Sequence, residues 1–383
     1  MGRRFFCFSA NSAGQISEGI AQQVEGIHLK KHKKGRFKMK KSLKMISAAL
    51  VLSMGLGLTA CGNGNKPAEA DPKTEQPKTE QTEMVNVGII QYMEHGSLDQ
   101  AREGFIDAMA ENGFTEGENV TYDFKNAQSD QSNLQTIAQR FVGNNVDLIC
   151  AIATPAAQTV ANSTGDIPIV ATAVTDYAEA KLVDSNEKPG HNVTGVSDMV
   201  SISDQIDLLL KFKSDAKAVG VIYSSNEVNS ELQAAIAKDY ITSLGLEYVE
   251  ATVTNVNDIQ QAAQSLLGKI DVLYVPTDNT LASAIPTLVQ VTDEASLPIV
   301  TGATSMVSDG ALATVGIDYY KLGKQTGVMA AKILKGEAEP ASMPIETAND
   351  TMLVLNKEVA DRLGITVPED IMEGAQIVGG EAQ

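Results

Sequence analysis

The chain has 383 residues, with 30 basic and 48 acidic side chains and a formal net charge of −18 at pH 7. Residues 1–60 hold 11 of the basic and 2 of the acidic residues, which leaves a net charge of −27 on residues 61–383. So acidic a chain argues against binding to nucleic acid and against binding to an anionic lipid surface.

The first 38 residues are basic and polar, with no clean hydrophobic period. The basic segment that should open a signal peptide begins only at Met39, with Lys40, Lys41 and Lys44. We therefore expect that translation starts at Met39 and that residues 1–38 are a mis-called upstream extension of the reading frame. An unusually long basic segment before the signal peptide is the alternative.

An apolar run occupies residues 45–59, which is the length of a signal-peptide core and short for a membrane-spanning helix. It closes with Leu58-Thr59-Ala60-Cys61, which resembles the lipobox of bacterial lipoproteins. The resemblance implies that residues 39–60 are a cleaved signal peptide and that Cys61 carries a lipid that ties the mature protein to a membrane. The alternatives are an uncleaved anchor helix and a plain signal peptide.

Residues 61–83 are rich in Pro, Lys, Glu, Thr and Gln, and the sequence PKTEQ occurs twice, at 72–76 and 77–81. The segment lacks the apolar residues that a core needs, which predicts a disordered tether. Beyond it, Cys150 stands alone in an apolar run, so we expect a buried, inert thiol. A zinc site is not expected, because only His95 and His191 follow Cys61 and no Cys pair does.

The body of about 300 residues from Met84 onward exceeds one usual core, so we expect two lobes. Apolar runs predict strands at residues 85–91, 120–124, 148–152, 167–173 and 192–196, and in a second series at 218–223, 247–252, 272–275, 299–301 and 313–315. Helical spacing predicts helices at residues 98–112, 132–144, 156–163, 203–212, 230–244, 259–267 and 280–295. Strands rich in Val, Ile, Leu and Ala suit a parallel sheet covered on both faces. The pattern predicts an α/β protein with two doubly wound parallel-sheet lobes.

Several short stretches together resemble one family. They are VGIIQ (87–91) with His95, ATPAAQ (153–158), VTD (174–176), NVTGVSD (192–198), YVPTDNT (274–280), and GALAT (310–314) with GIDYY (316–320). Over residues 84–371 the chain resembles the ABC-transporter substrate-binding lipoproteins whose better-studied members bind tryptophan, tyrosine or phenylalanine. One departure is Asp176-Tyr177, where many relatives have Asp-Pro.

The resemblance implies the type I periplasmic-binding fold, with two lobes joined by a hinge of several crossings. Chain order places one crossing near residues 199–203, and the resemblance implies two more, near 316–318 and near 343–348. We expect the following assignment: lobe one, residues 84–200 and 317–345; lobe two, residues 201–316 and 346–383.

An amino-acid ligand would need a partner for its ammonium group. Asp278 follows an apolar strand and is the best candidate, with Asn279 and Thr280 as supplements. The structural alternative for Asp278 and Thr280 is capping of the helix that they precede, and one residue can do both.

The ligand carboxylate would need hydroxyls and free N–H groups at a helix start. Thr154 begins a predicted helix with Pro155 in its first turn, and Ser225 and Asn226 offer the same in the second lobe.

Further candidates lie at the predicted strand ends: Gln91, Tyr92, His95, Thr175 and Asp176. A structural role suits Asp176 as well as ligand contact does, and a lone His is more often a surface or capping residue. Tyr92 and Tyr177 are candidates either for stacking on an aromatic ligand or for the lobe surface.

The function predicted is solute binding for an ABC importer, with closure of two lobes over a small amino acid-like ligand, which the resemblance implies is an aromatic amino acid. The expected partners are an ABC permease and its ATPase, and the expected location is outside the cytoplasm, on the Gram-positive cell surface, with a lipid on Cys61. No catalytic residue and no cofactor is expected, because no Gly-x-Ser-x-Gly elbow, P-loop or dinucleotide fingerprint occurs. A ligand-sensing lipoprotein and a non-amino-acid solute remain alternatives.

Overall fold

The computed structural model describes residues 84–379. The expected upstream extension, the signal peptide, Cys61 and the tether lie outside the described residues. Within residues 84–379, no helix is long and apolar enough to cross a membrane.

Strands and helices alternate along the described chain. The strands are β1 Val85–Gln91, β2 Val120–Asn126, β3 Leu148–Ile152, β4 Ile169–Val174, β5 Val193–Ser197, β6 Ala218–Ser224, β7 Glu247–Val253, β8 Val272–Val275, β9 Ile299–Thr301, β10 Ala313–Ile317, β11 Glu346–Thr347, β12 Thr351–Asn356 and β13 Gln376–Val378. The helices are α1 Gly96–Glu111, α2 Gln131–Asn144, α3 Thr154–Ala161, α4 Ile202–Phe212, α5 Val228–Ser243, α6 Ile259–Leu266, α7 Asn279–Ala282, α8 Ile285–Glu294, α9 Thr304–Ser308, α10 Tyr319–Leu334, α11 Lys357–Arg362 and α12 Glu369–Gly374.

These strands form two sheets, one in each lobe. The first has the order β11-β5-β4-β3-β1-β2, and the second has the order β13-β12-β10-β9-β8-β6-β7. Strands β3, β4 and β5 are buried along their whole length, as expected where helices cover both faces of a sheet. All pairings are parallel except that of β10 with β12. The α/β class with two doubly wound lobes is confirmed.

The two sheets repeat one strand order. In the first lobe β1 lies between β2 and β3, and in the second lobe β6 lies between β7 and β8. The order of the strands therefore reverses at β1/β3 and at β6/β8. Crevices form beyond the carboxyl ends of the strands at such points, so the loops after β1, β6 and β8 are the ones placed to meet a ligand.

The chain passes between the lobes three times, at residues 198–201, at Asp318 and at residues 348–350. The third passage lies slightly beyond the expected residues 343–348. Strand β11 pairs with β5, so residues 346–347 lie in the first sheet and not in the second lobe, where we expected them.

One predicted helix is wrong in its extent. Residues 280–295 form two helices, α7 and α8, with a break before Ile285. Pro286 lies in the first turn of α8, where its missing N–H costs nothing, whereas inside a continuous helix its ring would clash with the preceding turn.

Helix α10 returns to the first lobe and packs closely on α1. A Cβ atom added to Gly323 would lie 2.0 Å from the carbonyl oxygen of Ala101, and one added to Gly104 would lie 2.0 Å from that of Tyr320. The absence of side chains at these glycines therefore lets the two helix backbones touch.

We predict that Gly323→Ala lowers the unfolding free energy by about 1–3 kcal/mol, because the new methyl group forces two backbones apart. Gly143→Ala is the matched control, since a Cβ at Gly143 in α2 meets no heavy atom within 4 Å. That variant should be as stable as the parent, or more stable by up to about 1 kcal/mol. Thermal denaturation of the ligand-free protein measures both, and equal midpoints for the two variants would contradict the close packing.

Candidate functional site

A cavity lies between the lobes, at the carboxyl ends of both sheets. Its free volume is only about 10 Å³, roughly the room that one water molecule needs, so a larger ligand enters only when the lobes move apart. Its wall consists of His95, Ser97, Leu98, Ala173, Thr175, Asp198, Asn229, Thr277, Asp278, Asn279, Ala282, Ala303, Met306 and Tyr319. Four of the residues predicted from sequence are among them: His95, Thr175, Asp278 and Asn279.

Asp278 is almost fully buried and caps α7. Its Oδ1 accepts a hydrogen bond from the backbone N–H of Leu281 at 2.8 Å, and its Oδ2 accepts one from that of Ser224 at 2.6 Å. The carboxylate thus ties the loop after β8 to the end of β6. Burial, and then the charge of Glu227, raise the pKa of Asp278 to about 7.

Glu227 organises the same loop, although it was not among the site residues predicted from the sequence. Its Oε1 accepts hydrogen bonds from the backbone N–H and the hydroxyl of Thr280, at 2.9 and 2.8 Å. Its Oε2 accepts from the side-chain amide of Asn279 at 2.5 Å and from the backbone N–H of that residue at 3.2 Å. Glu227 has no solvent-exposed surface, so these donors replace its water.

The bond between Glu227 and Asn279 determines the proton position on His95. A carboxylate only accepts, so the amide nitrogen of Asn279 faces Glu227 and the amide oxygen faces His95. That oxygen lies 3.1 Å from His95 Nε2, which must therefore carry a hydrogen. Burial lowers the pKa of His95, which favours the neutral ring. His95 Nδ1 is then an acceptor, and it is buried with no hydrogen-bond partner among the described residues.

Asp198 forms a second acidic centre, beside the hinge. Its Oδ1 accepts a hydrogen bond from the Thr175 hydroxyl at 3.1 Å, and its Oδ2 accepts one from the Tyr319 phenol at 3.0 Å. Burial raises the pKa of Asp198 to about 6. Asp198 and Tyr319 occur in the stretches that carry the family resemblance, but we did not select them as site residues.

Hydrogen bonds cross between the lobes and hold them in contact. The bond between His95 and Asn279 is one, and the hydroxyls of Ser97 and Ser305 are joined at 2.7 Å. A longer contact of 3.5 Å joins the Gln233 amide to Thr175. The lobes are therefore closed over the cavity.

Seven predicted site residues do not belong to the cavity wall of the described structure: Gln91, Tyr92, Thr154, Asp176, Ser225, Asn226 and Thr280.

The reason in most of these cases is a hydrogen bond made elsewhere. Ser225 and Asn226 donate to the carbonyl groups of Val253 and Thr254 at the end of β7. Asp176 accepts from two backbone N–H groups of its own turn, and Gln91 bonds to Asp99 and Arg102.

The two tyrosines considered for stacking have other positions. Tyr177 is fully buried in the core of the first lobe, and its hydroxyl donates to the carbonyl of Ala171 at 2.7 Å. Neither stacking on a ligand nor exposure on the lobe surface is possible for it. Tyr92 is largely buried, and burial together with the charges of Glu227 and Asp278 raises its pKa.

The wall of the cavity is rich in acceptors. It presents the carboxylates of Asp278 and Asp198, and two buried acceptors without a donor, His95 Nδ1 and Asn229 Oδ1. Among the described residues, no Lys or Arg lines it. No cluster of His, Cys, Asp and Glu within residues 84–379 could hold a metal ion. Such a wall suits a ligand that brings hydrogen-bond donors and positive charge.

Comparison with known proteins decides the family. A family model described as ABC transporter substrate binding protein matches residues 86–378. This chain belongs to that family. It is a substrate-binding protein of an ABC transporter with the type I periplasmic-binding fold. Substrate-binding proteins of ABC transporters are extracytoplasmic.

Three relatives are informative. A tyrosine-binding protein of Clostridioides difficile (strain R20291) is 42% identical over 326 residues, which cover 85% of this chain and 93% of the relative. The structure of an ABC domain in complex with L-Trp from Streptococcus pneumonia is 39% identical, with a TM-score of 0.75, and covers 77% of this chain and 100% of that one. A ligand-free, open structure of a substrate-binding protein with adhesive properties from Clostridium difficile is 44% identical and covers 78% of this chain and 100% of that one, with a TM-score of 0.62. The lobes here thus match the ligand complex better than the open form, which agrees with the bonds across the cleft.

The two buried carboxyl groups, of Asp278 and Asp198, should make the stability of the protein depend on pH. Folding raises the pKa of Asp278 and Asp198 above the value of an exposed Asp, so the folded protein binds more protons than the unfolded chain between about pH 4 and pH 7. This contribution to stability is complete at low pH and is lost as the pH rises through about 6 to 7. These two groups should lower the free energy of unfolding of the ligand-free protein from pH 5 to pH 7.5, by up to about 1.4 kcal/mol per pH unit for each group, whereas His95, whose pKa burial lowers, contributes with the opposite sign in this range.

Denaturant unfolding at several pH values measures this slope. The range is chosen because acids with a lowered pKa, such as Asp123 and Asp271, finish titrating at lower pH. The slope of unfolding free energy against pH should be less negative in Asp278→Asn than in the parent, because His95 is the same in both, and equal slopes in the two proteins would contradict the prediction.

Proposed function

We propose that this protein binds an aromatic α-amino acid between its lobes and delivers it to an ABC permease and its ATPase. The observation that carries the proposal is the closed interlobe cavity, whose acceptor-rich wall holds buried carboxylates without a cationic side chain among the described residues. A ligand ammonium would provide the missing positive charge. Support for the aromatic class comes from the relatives, one named for tyrosine and one solved with L-Trp.

The ammonium would pair with Asp278. This carboxylate lines the cavity, and burial and the charge of Glu227 raise its pKa, so a cation beside it would be stabilising. Asn229 Oδ1 would accept a second ammonium hydrogen, because the Asn229 amide group lies beside the same loop and donates to Thr277 O at 3.1 Å. The cap that Asp278 forms on α7 holds its carboxylate in place for this contact.

The carboxylate would lie at the start of a helix. Helices α1 and α3 both begin at this edge of the first sheet. Their N-cap residues are His95 and Ala153, and neither side chain makes a capping hydrogen bond. Their first N–H groups are free to meet an anion, which keeps Thr154 as a proposed contact after movement of the lobes.

The aromatic ring would occupy the apolar part of the wall. Leu98 of α1, Met306 of α9 and the small residues Ala282 and Ala303 provide that apolar surface. Methionine sulfur packs favourably on aromatic rings. The closed cavity has a free volume of only about 10 Å³, so the ring would enter while the lobes are apart.

A panel of amino acids, sugars and nucleosides tests the proposal by thermal denaturation. Tyrosine, tryptophan or both should raise the unfolding midpoint, by about 2.7 kcal/mol of stabilisation at a hundredfold excess over Kd. Because the chain contains no Trp, bound tryptophan is the only indole, and its emission should shift to shorter wavelength on burial. A response to sugars or nucleosides alone would show that the ligand class is wrong.

Asp278→Asn should weaken amino-acid binding by about tenfold or more, because the ammonium group loses its charged partner in a buried site. Asp176→Asn is the matched control, since Asp176 is a strand-end Asp that bonds only to its own turn. The control should bind as the parent does. If Asp278→Asn also binds as the parent does, Asp278 is a helix cap without a role in recognition.

We further propose that lipid on Cys61 anchors the protein to the membrane at the Gram-positive cell surface. The lipobox-like sequence and the extracytoplasmic family support this. Cys61→Ala should move the protein from the membrane fraction to the culture supernatant and abolish incorporation of labelled palmitate, while Cys150→Ala should change neither. Retention of label in Cys61→Ala would rule the proposal out.

A further inference from the structure

His95 Nδ1 is buried, and the neighbouring hydrogen bonds determine that it carries no hydrogen and can only accept. Glu227 orients the Asn279 amide, and the Asn279 oxygen then takes the hydrogen of His95 Nε2. The lone pair of Nδ1 is left without a donor among the described residues. An unmet acceptor of this kind is unfavourable, which indicates that a ligand supplies the donor.

The ligand ammonium has two proposed acceptors of its own. Asp278 and Asn229 both belong to the second lobe and lie at one loop, where they form the proposed ammonium site. His95 belongs to the first lobe, one turn before Leu98, and it lies near Asp309 at the end of α9. His95 shares the cavity wall with Leu98 and Met306, the apolar residues proposed to hold the ring.

We propose that His95 Nδ1 accepts a hydrogen bond from a donor on the ligand ring, and so selects tyrosine or tryptophan over phenylalanine. This inference rests on the proposed function, since it assumes an aromatic amino acid in the cavity. The tyrosine hydroxyl and the indole N–H are both ring donors, whereas phenylalanine has none. A site built to pair with such a group rejects the analogue that lacks it, because its own polar atom then stays unpaired.

Isothermal titration calorimetry of the parent protein with tyrosine and with phenylalanine tests the selectivity. Phenylalanine should bind about ten- to a hundredfold more weakly, from the cost of a buried polar group left unpaired. Tryptophan serves as the second donor-bearing ligand, so at least one of tyrosine and tryptophan must exceed phenylalanine by this margin.

Two variants at one position separate the roles of the two ring nitrogens. His95→Gln retains a donor near the position of Nε2 for Asn279 but removes the acceptor at Nδ1, so the ratio of tyrosine to phenylalanine affinity should fall to within about twofold of one. His95→Asn places an amide oxygen near the position of Nδ1 and loses the bond to Asn279, so it should keep part of the preference. Thermal denaturation establishes that both variants are folded.

The outcomes distinguish this inference from the function on which it rests. Equal binding of phenylalanine and the donor-bearing ligands by the parent, or a preference that survives unchanged in His95→Gln, overturns the role of His95 and leaves amino-acid binding standing. If none of the three ligands binds the folded parent protein, the proposed function and this inference fall together.

Discussion

The carboxylate of Glu227 is the constraint on which the ligand-facing surface depends. It accepts from the backbone and side chains of Asn279 and Thr280, and so fixes the loop after β8 against the start of α5. Because a carboxylate can only accept, it also orients the Asn279 amide and through it the ring of His95 on the other lobe. Glu227 does not line the cavity, but through Asn279 it determines which ring nitrogen of His95 donates and which accepts.

Sequence predicted the fold well because burial along a parallel strand is a local property. The apolar runs gave both sheets, and Pro286 was a local signal for the break between α7 and α8 that we overlooked. The antiparallel β12 and the pairing of β11 had no such signal. They depend on where the chain goes after α10, which the composition of these short strands does not determine.

The candidate site was predicted less completely than the fold. Strand ends indicated the correct loops, but the turn decides which residue of a loop faces inward. In the run Ser224 to Glu227 every residue is polar, and the sequence favoured Ser225 and Asn226, whose side chains bond to β7. Contacts between lobes are harder still, because Ser97 and Ser305 are 208 positions apart and neither lies in a distinctive motif. For Asp278, capping is shown, and it is compatible with the proposed contact.

The close packing of α10 on α1 has a mechanical consequence for opening. Strand β10 ends at Ile317 in the second lobe, and α10 begins at Tyr319 in the first, so at this one of the three crossings Asp318 is the single residue between the lobes. Its side chain is bonded to the N–H of Lys321, which leaves few torsions free there. A joint of one residue permits rotation but almost no sliding. The pivot of any opening motion must therefore pass close to Asp318, so the part of the cavity wall formed by Tyr319 should be displaced less than loops farther from this residue.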